Sequence, residues 1–170
     1  MQNKLLIIWH SRTGASEALA RAVFDGAVAA FSDDDPEVAK AILKRADETE
    51  PADILSASAY VFVCPENLAA ISGLMKDMFD RCYYPVLGQI EGRSYATIIA
   101  AGSDGQNAQA QIDRIATGWR LKRIADPMIV NCHAQTPEEI LTPKKIEAGD
   151  LNMCREIGAA ISHGLEIGVY

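Results

Sequence analysis

Four short runs of mostly apolar residues recur along the chain and are separated by stretches with the period of a one-sided helix. The runs lie at Leu5–Trp9, Ala59–Cys64, Tyr95–Ala101 and Met128–Cys132. Because apolar and polar residues do not alternate within them, these runs are typical of strands buried on both faces, as in a parallel sheet. Residues 38–43 form a weaker run, which predicts a fifth strand at an edge of the sheet.

Between the runs, apolar residues recur at intervals of three and four, which predicts helices that cover the sheet with one face. These stripes fall within residues 20–31, 71–82, 108–119 and 154–165, and a short helix is predicted at Pro51–Ala57. The alternation predicts a single α/β domain over residues 1–170, with a doubly wound, five-stranded parallel sheet of order 2-1-3-4-5 and helices on both faces. The segment Gln135–Asp150 contains two prolines and no clear period, so we expect a long excursion before the last helix.

Composition and charge exclude several classes of function. The chain has 16 basic and 23 acidic residues, a net charge of −7, and no basic stripe, so we expect neither a nucleic-acid nor a membrane partner. No apolar run approaches the roughly 18 residues of a membrane-spanning helix, and no signal-peptide pattern is present, so we expect a cytoplasmic protein. The four cysteines form no Cys-x-x-Cys pair, which favours small core residues over a metal site.

The loop after the first strand is the most informative segment, because three hydroxyl side chains alternate around one glycine just before a helix. The sequence is Ser11-Arg12-Thr13-Gly14-Ala15-Ser16. Free N–H groups at a helix start attract anions, glycine allows close approach, and hydroxyl groups add donors, so the loop predicts a phosphate cradle. The alternative is an ordinary turn in which Ser16 caps the helix. The loop lacks the glycine patterns of Walker, dinucleotide-binding and nucleophile-elbow loops.

Three segments resemble known flavoproteins. Ser-x-Thr-Gly-x-Ser resembles the flavodoxin phosphate loop. Residues 65–81, with their proline, Ser-Gly-x-Met-Lys and Phe-Asp-Arg, resemble the region after the third strand of NADPH-dependent FMN reductases and WrbA-type NAD(P)H:quinone oxidoreductases. Ala101–Gly105 falls where those proteins carry a glycine-containing flavin loop. The resemblance spans the whole fold and implies a flavodoxin-like architecture.

The resemblance also implies a cofactor, a reaction and a set of site residues. It implies FMN, with NAD(P)H as cosubstrate, and hydride transfer through FMN to a quinone, a flavin or a similar small-molecule acceptor in a homodimer or homotetramer. It assigns the FMN phosphate to Ser11, Arg12, Thr13, Gly14, Ala15 and Ser16. It assigns one edge of the ring to Pro65, Glu66, Asn67, Leu68 and Ala69, and a covering loop to Gly102, Ser103, Asp104 and Gly105.

Several interpretations stay open at this point. Glu66 either accepts a hydrogen bond from the flavin N3–H or is simply solvated. Neither ring loop contains an aromatic residue, which disfavours an electron-transfer flavodoxin that works with a partner reductase. A flavodoxin-like interaction module without flavin is the other alternative. No side chain is clearly catalytic, and the candidates are His10 and His133, which end the first and last strands.

Two further groups have open roles. Tyr83, Tyr84 and Pro85 close a predicted helix and either pack its end or contact a partner subunit, whereas Asp80 and Arg81 are expected to be structural.

Overall fold

The computed structural model describes residues 3–31 and 40–170. The strands are β1 (Leu5–Trp9), β2 (Ala41–Arg45), β3 (Ala59–Asn67), β4 (Ala70–Ile71), β5 (Ser94–Ala101), β6 (Lys122–Arg123) and β7 (Met128–Asn131). The helices are α1 (Ala15–Ala30), α2 (Pro51–Ser56), α3 (Gly73–Val86), α4 (Gln106–Gly118), α5 (Pro137–Leu141) and α6 (Ala148–Glu166), and a single 3₁₀ turn covers Ala46–Glu48.

The parallel sheet confirms the predicted fold class and differs from it in two details. Strands β2, β1, β3 and β5 lie side by side, and β6 and β7 share the fifth position because both pair with β5. The order is therefore the predicted one with its last strand interrupted, at a segment that contains Pro127, which has no N–H group to donate to the ladder. The second difference is β4, a short strand that pairs antiparallel with the end of β3.

Both faces of the sheet are buried, as the unbroken apolar runs predict. On one face, Leu6, Ile8 and Phe62 pack with residues of α2, α3 and α4. On the other, Leu5, Ile7 and Val61 pack with residues of α1 and α6. Successive strand residues thus point to opposite layers, and the chain forms a three-layer α/β sandwich.

Some predicted boundaries are wrong, and the reasons are local. The edge strand β2 begins at Ala41, and residues 38 and 39 of the predicted run lie outside the described residues. The predicted excursion Gln135–Asp150 contains α5, which opens with a capping box at Thr136, and its end already belongs to α6. The apolar side chains of α5, Ile140 and Leu141, are exposed and adjacent in sequence. A helix with no buried face has no apolar residues three and four apart, so the sequence did not predict it. Helix α3 continues through Pro85 to Val86 instead of closing there.

Three of the four cysteines are buried in the core, as expected, and Cys132 is only half buried just after β7. Burial raises the pKa of Cys64 and of Cys154 to about 12, so both thiols stay protonated at neutral pH. Arg81 donates hydrogen bonds to the carbonyl oxygens of Ala46 and Thr49, which agrees with a structural role. Within residues 3–31 and 40–170, none of the helices is long and apolar enough to cross a membrane.

Candidate functional site

The three predicted site segments lie at one edge of the sheet. The first and third segments follow the carboxyl ends of β1 and β5, the second comprises the carboxyl end of β3 and the turn after it, and His133 follows the carboxyl end of β7. Because these strands are parallel, their carboxyl ends share an edge, which is where ligands bind in open α/β sheets.

The predicted phosphate loop, residues 11–16 between β1 and α1, is shaped by contacts within the protein. Gly14 has φ +89°, a left-handed conformation that favours glycine, and its N–H donates to Ser11 Oγ at 3.0 Å. A Cβ atom placed on Gly14 would meet no atom within 4 Å, so open space adjoins the backbone there. The first N–H groups of α1 have no partner inside the helix and remain available to an anion.

Ser16 is the buried polar group of this loop. Its side chain is fully buried, and its Oγ has no hydrogen-bond partner among the described residues. Gly14, and not Ser16, occupies the capping position of α1, so the interpretation of Ser16 as the helix cap is wrong. An unsatisfied buried hydroxyl costs about 1–3 kcal/mol, and a bound anion would provide the missing partner.

His10 lies directly before the phosphate loop and is buried. Its backbone N–H donates to Val63 O at 3.1 Å, while the ring nitrogen Nδ1 has no hydrogen-bond partner in the described part of the chain. Burial, together with the nearby positive charges of Arg45 and Arg12, lowers the pKa of His10 below its ordinary value. The imidazole is therefore neutral at pH 7 and keeps one nitrogen that can donate and one that can accept.

The second segment is a hairpin and not the loop that the sequence suggests. Residues 65–67 continue β3, and Glu66 and Asn67 pair with the two residues of β4. The connecting turn consists of Leu68 and Ala69, whose φ angles are +50° and +58°. Leu68 is fully exposed at its tip. The sequence gives no sign of this hairpin, because β4 is too short for a period and the turn contains no glycine.

The third segment, Gly102–Gly105, is tied to the hairpin. Glu66 Oε2 accepts a hydrogen bond from the N–H of Gly105 at 3.0 Å, a contact in addition to the roles expected for Glu66. Gly105 has φ +83°, and a Cβ there would lie 2.7 Å from a methyl group of Ile129. The end of β7 holds the other side, because Asn131 Nδ2 donates to Ser103 O at 2.7 Å.

His133 occupies an exposed position on the same edge. Its φ is +50°, and its N–H donates to Asn131 Oδ1 at 2.8 Å, which fixes the backbone there. The next residue, Ala134, donates its N–H to Gly102 O at 3.0 Å, so the His133 segment and the third loop form one unit.

Three residues that the sequence analysis did not single out also contact this site. Asn107 Nδ2 donates to Ala69 O, and Gln111 Oε1 accepts from the N–H of Ile71 at 2.9 Å. Lys144 donates its N–H to Thr13 O at 2.8 Å, so the Gln135–Asp150 segment lies against the phosphate loop. One sequence signal could have pointed to Asn107 and Gln111: they lie four residues apart, which places two polar side chains on the same face of a helix.

The donor set suits a phosphate monoester such as that of FMN. A buried hydroxyl without a partner, unpaired helix amides and open space at Gly14 all occur within residues 14–16 of this loop. Across residues 3–31 and 40–170, no group of three or more His, Cys, Asp or Glu side chains is placed to hold a metal ion.

Solved structures with the same fold include flavodoxins and a WrbA-like protein. An archaeal flavodoxin matches 96% of this chain and 99% of its own, with a TM-score of 0.74 and 15% identity. A WrbA-like flavodoxin from Agrobacterium tumefaciens matches 97% and 98%, with a TM-score of 0.70 and 17% identity. Megasphaera elsdenii flavodoxin matches 93% and 98%, with a TM-score of 0.66 and 18% identity. The fold is therefore flavodoxin-like.

Sequence comparison gives the family. A curated flavodoxin from Aquifex aeolicus (strain VF5) is 29% identical over 102 residues, which are 60% of this chain and 52% of that protein, so the match spans about half of its length. The family model for NADPH-dependent FMN reductase matches residues 14–134. These matches support a flavin-binding protein of flavodoxin type, with FMN as the flavin. With most of its length covered by that model, the chain belongs to the NADPH-dependent FMN reductase family.

Proposed function

We propose that this protein binds FMN and oxidises NAD(P)H, and that it reduces a quinone, a flavin or a similar small molecule by hydride transfer. The observation that carries the proposal is the fully buried Ser16 hydroxyl, which has no partner in the described chain and lies in the first turn of α1. Membership of the NADPH-dependent FMN reductase family supports the choice of cofactor and of cosubstrate.

The phosphate loop would hold the anionic end of the cofactor. Ser11, Thr13 and Ser16 would donate hydroxyl hydrogens to phosphate oxygens, and the first amides of α1 would add backbone donors. The Ser11 hydroxyl can do so because its oxygen accepts from Gly14 N–H while its own hydrogen stays free to rotate. Arg12 is exposed beside the loop and adds a positive charge.

The β3–β4 hairpin and the Gly102–Gly105 loop would adjoin the ring. When bound, FMN would supply the redox chemistry, so the chain need not provide a strong acid or base for it. No aromatic side chain occurs in Pro65–Ala70 or in residues 102–108, which would leave a ring face open to a nicotinamide. His133 is exposed at the same edge and is our candidate for delivering a proton to the acceptor, with buried His10 as the other.

The visible spectrum of the purified protein tests this proposal. The protein is titrated with FMN, and NADPH or NADH is then added without oxygen. We expect a bound flavin spectrum that bleaches on addition of a reduced nicotinamide and returns when a quinone or free flavin is added. If no flavin binds, the proposal is wrong; if the bound flavin stays oxidised with both nicotinamides, reductase activity is excluded.

An electron-transfer flavodoxin is the second candidate. It is favoured by the curated Aquifex aeolicus relative and by solved structures that are named flavodoxins. In that case a separate reductase would have to supply the electrons. A bound flavin that NADPH does not bleach, but that a ferredoxin reductase or dithionite does, would select this candidate.

The quaternary structure and location extend the proposal. We propose a homodimer or homotetramer, for which a cavity of about 500 Å³ between α3 and α4 is the most suitable surface. Tyr83 and Trp119 line this cavity, and Tyr84 at its rim is 80% exposed. A cytoplasmic location remains a prediction from the sequence.

A further inference from the structure

The turn between β3 and β4 adopts a conformation that its own residues do not favour. Leu68 and Ala69 both have positive φ angles, +50° and +58°. Two-residue hairpin turns of this kind prefer Asn-Gly or Asp-Gly, because a Cβ atom makes the left-handed region unfavourable. Local preference therefore does not explain the shape of this turn, and contacts from elsewhere must hold it.

Those contacts come from the start of α4. Asn107 Nδ2 donates to the carbonyl oxygen of Ala69 at 2.5 Å, within the turn itself. One helical turn later, Gln111 Oε1 accepts from the N–H of Ile71 at 2.9 Å, at the end of β4. A third bond, from Gly105 N–H to Glu66 Oε2, joins the start of α4 to the other strand of the hairpin. The hairpin is thus fastened on both of its strands and at its tip.

We infer that Asn107 and Gln111 are positioning residues for the isoalloxazine ring of the flavin, because they hold the β3–β4 hairpin, which carries the exposed Leu68 at its tip, against the start of α4. The inference depends on the proposed function, since it assumes that a flavin occupies this edge. Neither side chain bonds to residues 11–16, where the phosphate would bind. Their loss is expected to affect the ring end of the ligand and to leave the phosphate end intact.

Comparing the Kd of FMN with that of riboflavin distinguishes effects on the ring end of the ligand from effects on its phosphate end, because riboflavin has the ring and lacks the phosphate. The full-length variants Asn107→Ala and Gln111→Ala are titrated with both ligands, and flavin fluorescence gives each Kd. We expect each variant to raise both Kd values by the same factor, about fivefold or more, which corresponds to roughly 1 kcal/mol. The ratio of the riboflavin Kd to the FMN Kd is expected to stay at the wild-type value.

Thr117→Ala is the matched control, because Thr117 is an exposed residue of α4 whose hydroxyl makes one hydrogen bond, to Asp113 O at 2.8 Å. We expect both Kd values of this control to remain within about twofold of wild type. Visible circular dichroism at saturating FMN supplies a readout of ring placement, which is expected to change for Asn107→Ala and not for Thr117→Ala. Asn107→Asp keeps the size of the side chain and removes the donor, so it replaces Asn107→Ala if that variant does not fold.

The outcomes are distinct. Unchanged Kd values and an unchanged dichroism spectrum in the Asn107 and Gln111 variants would overturn the inference while the proposed function stands. A loss confined to FMN would also overturn it, since the phosphate end would then be the part affected. Failure of the wild-type protein to bind either flavin would overturn the proposed function, and the inference with it.

Discussion

At the scale of single residues, the Ser16 hydroxyl is expected to lower the stability of the flavin-free fold and to raise the affinity for a phosphate. It is fully buried in the first turn of α1 and has no partner in the described part of the protein. A buried hydroxyl without a hydrogen bond destabilises the fold, whereas the same group donated to a phosphate is worth more than a neutral hydrogen bond. Stability and ligand affinity should therefore respond in opposite directions when it is removed.

The variant Ser16→Ala tests this expectation. We expect the free energy of unfolding of the flavin-free protein, measured with urea, to rise by about 1 kcal/mol. We expect the FMN Kd to rise by about 10- to 150-fold, from the loss of a hydrogen bond to a charged group worth roughly 1.5–3 kcal/mol. Ser56→Ala is the control, because the Ser56 hydroxyl is exposed and bonds to Asp53 O. A destabilised Ser16→Ala protein would contradict the assignment.

His10 predicts a pH dependence of stability. Burial, then Arg45 and Arg12, lowers its pKa below the ordinary value of 6.5, so the fold favours the neutral imidazole. The stabilising contribution is fully present above pH 6.5 and is lost as the pH falls through the lowered pKa. We expect urea unfolding of the flavin-free protein to show this loss, and His10→Asn to reduce its slope. His163→Asn, at an exposed position on α6, is the control for the loss of one imidazole.

At the scale of elements, the β3–β4 hairpin is the unusual piece of this fold. Its turn places two non-glycine residues in the left-handed region, and three side-chain bonds join it to the start of α4. The loop after β5 is fixed in turn by the end of β7, through Asn131 and Ala134. Contacts within the protein therefore hold the hairpin and this loop in place, and such preorganisation reduces the ordering cost of binding.

Replacing Leu68-Ala69 by Asn-Gly should remove strain from this turn. Asn-Gly is the preferred pair for a two-residue turn with positive φ at both positions. The left-handed region costs a residue with a Cβ atom roughly 1–2 kcal/mol. Glycine avoids that cost but loses more conformational entropy on folding, so we expect the free energy of unfolding to rise by about 1 kcal/mol. The midpoint of urea unfolding measures the gain. A midpoint at or below that of the wild type would show that the turn is not strained.

At the scale of the whole molecule, the phosphate loop depends on how α6 packs against α1. The two helices approach at glycine residues: a Cβ on Gly158 would lie 2.0 Å from Val23 O, and one on Gly26 would lie 2.1 Å from Arg155 O. Such close backbone contact leaves no room for larger residues. Because the phosphate loop leads directly into α1, the C-terminal helix holds the site in place.

Two alanine substitutions on α6 should therefore have opposite effects. Gly158→Ala forces α1 and α6 apart, and we expect a loss of about 1–3 kcal/mol in the free energy of unfolding. Gly149→Ala lies on the same helix with no atom within 4 Å of the added Cβ, so it should stabilise the protein by about 0.5–1 kcal/mol. Urea unfolding of both variants checks the pair. Equal effects would mean that the α1–α6 contact is not as close as described.

The oligomeric state is also a property of the whole molecule. We expect sedimentation velocity at micromolar concentration to give two or four times the chain mass of 18.4 kDa. Tyr84→Glu places a charge at the rim of the cavity between α3 and α4, where Tyr84 is exposed, and should shift the protein toward the monomer. A wild-type protein that sediments as a monomer would contradict the proposed assembly.

The sequence was sufficient to predict the sheet and the strand, loop and helix within residues 5–30, and insufficient to predict the contacts between loops. Runs such as Leu5–Trp9 predict buried strands, because a one-sided helix would have apolar residues three and four apart and a half-exposed strand would alternate. Antiparallel pairing of β3 with β4 could not be predicted, because it depends on two residues and a turn that contradicts local preference. The bonds of Glu66 and Asn107 join residues 39 and 38 positions apart, which no local pattern records.

The hydrogen bond from the Lys144 amide to Thr13 O has a practical consequence. An amide exchanges its hydrogen for deuterium only when its bond opens, so the exchange rate of Lys144 follows the separation of its segment from the phosphate loop. An anion that orders this loop would slow exchange at Lys144 although Lys144 lies about 130 residues further along the chain. Hydrogen exchange at this one backbone amide can therefore report ligand binding, and the ligand need not be coloured or fluorescent.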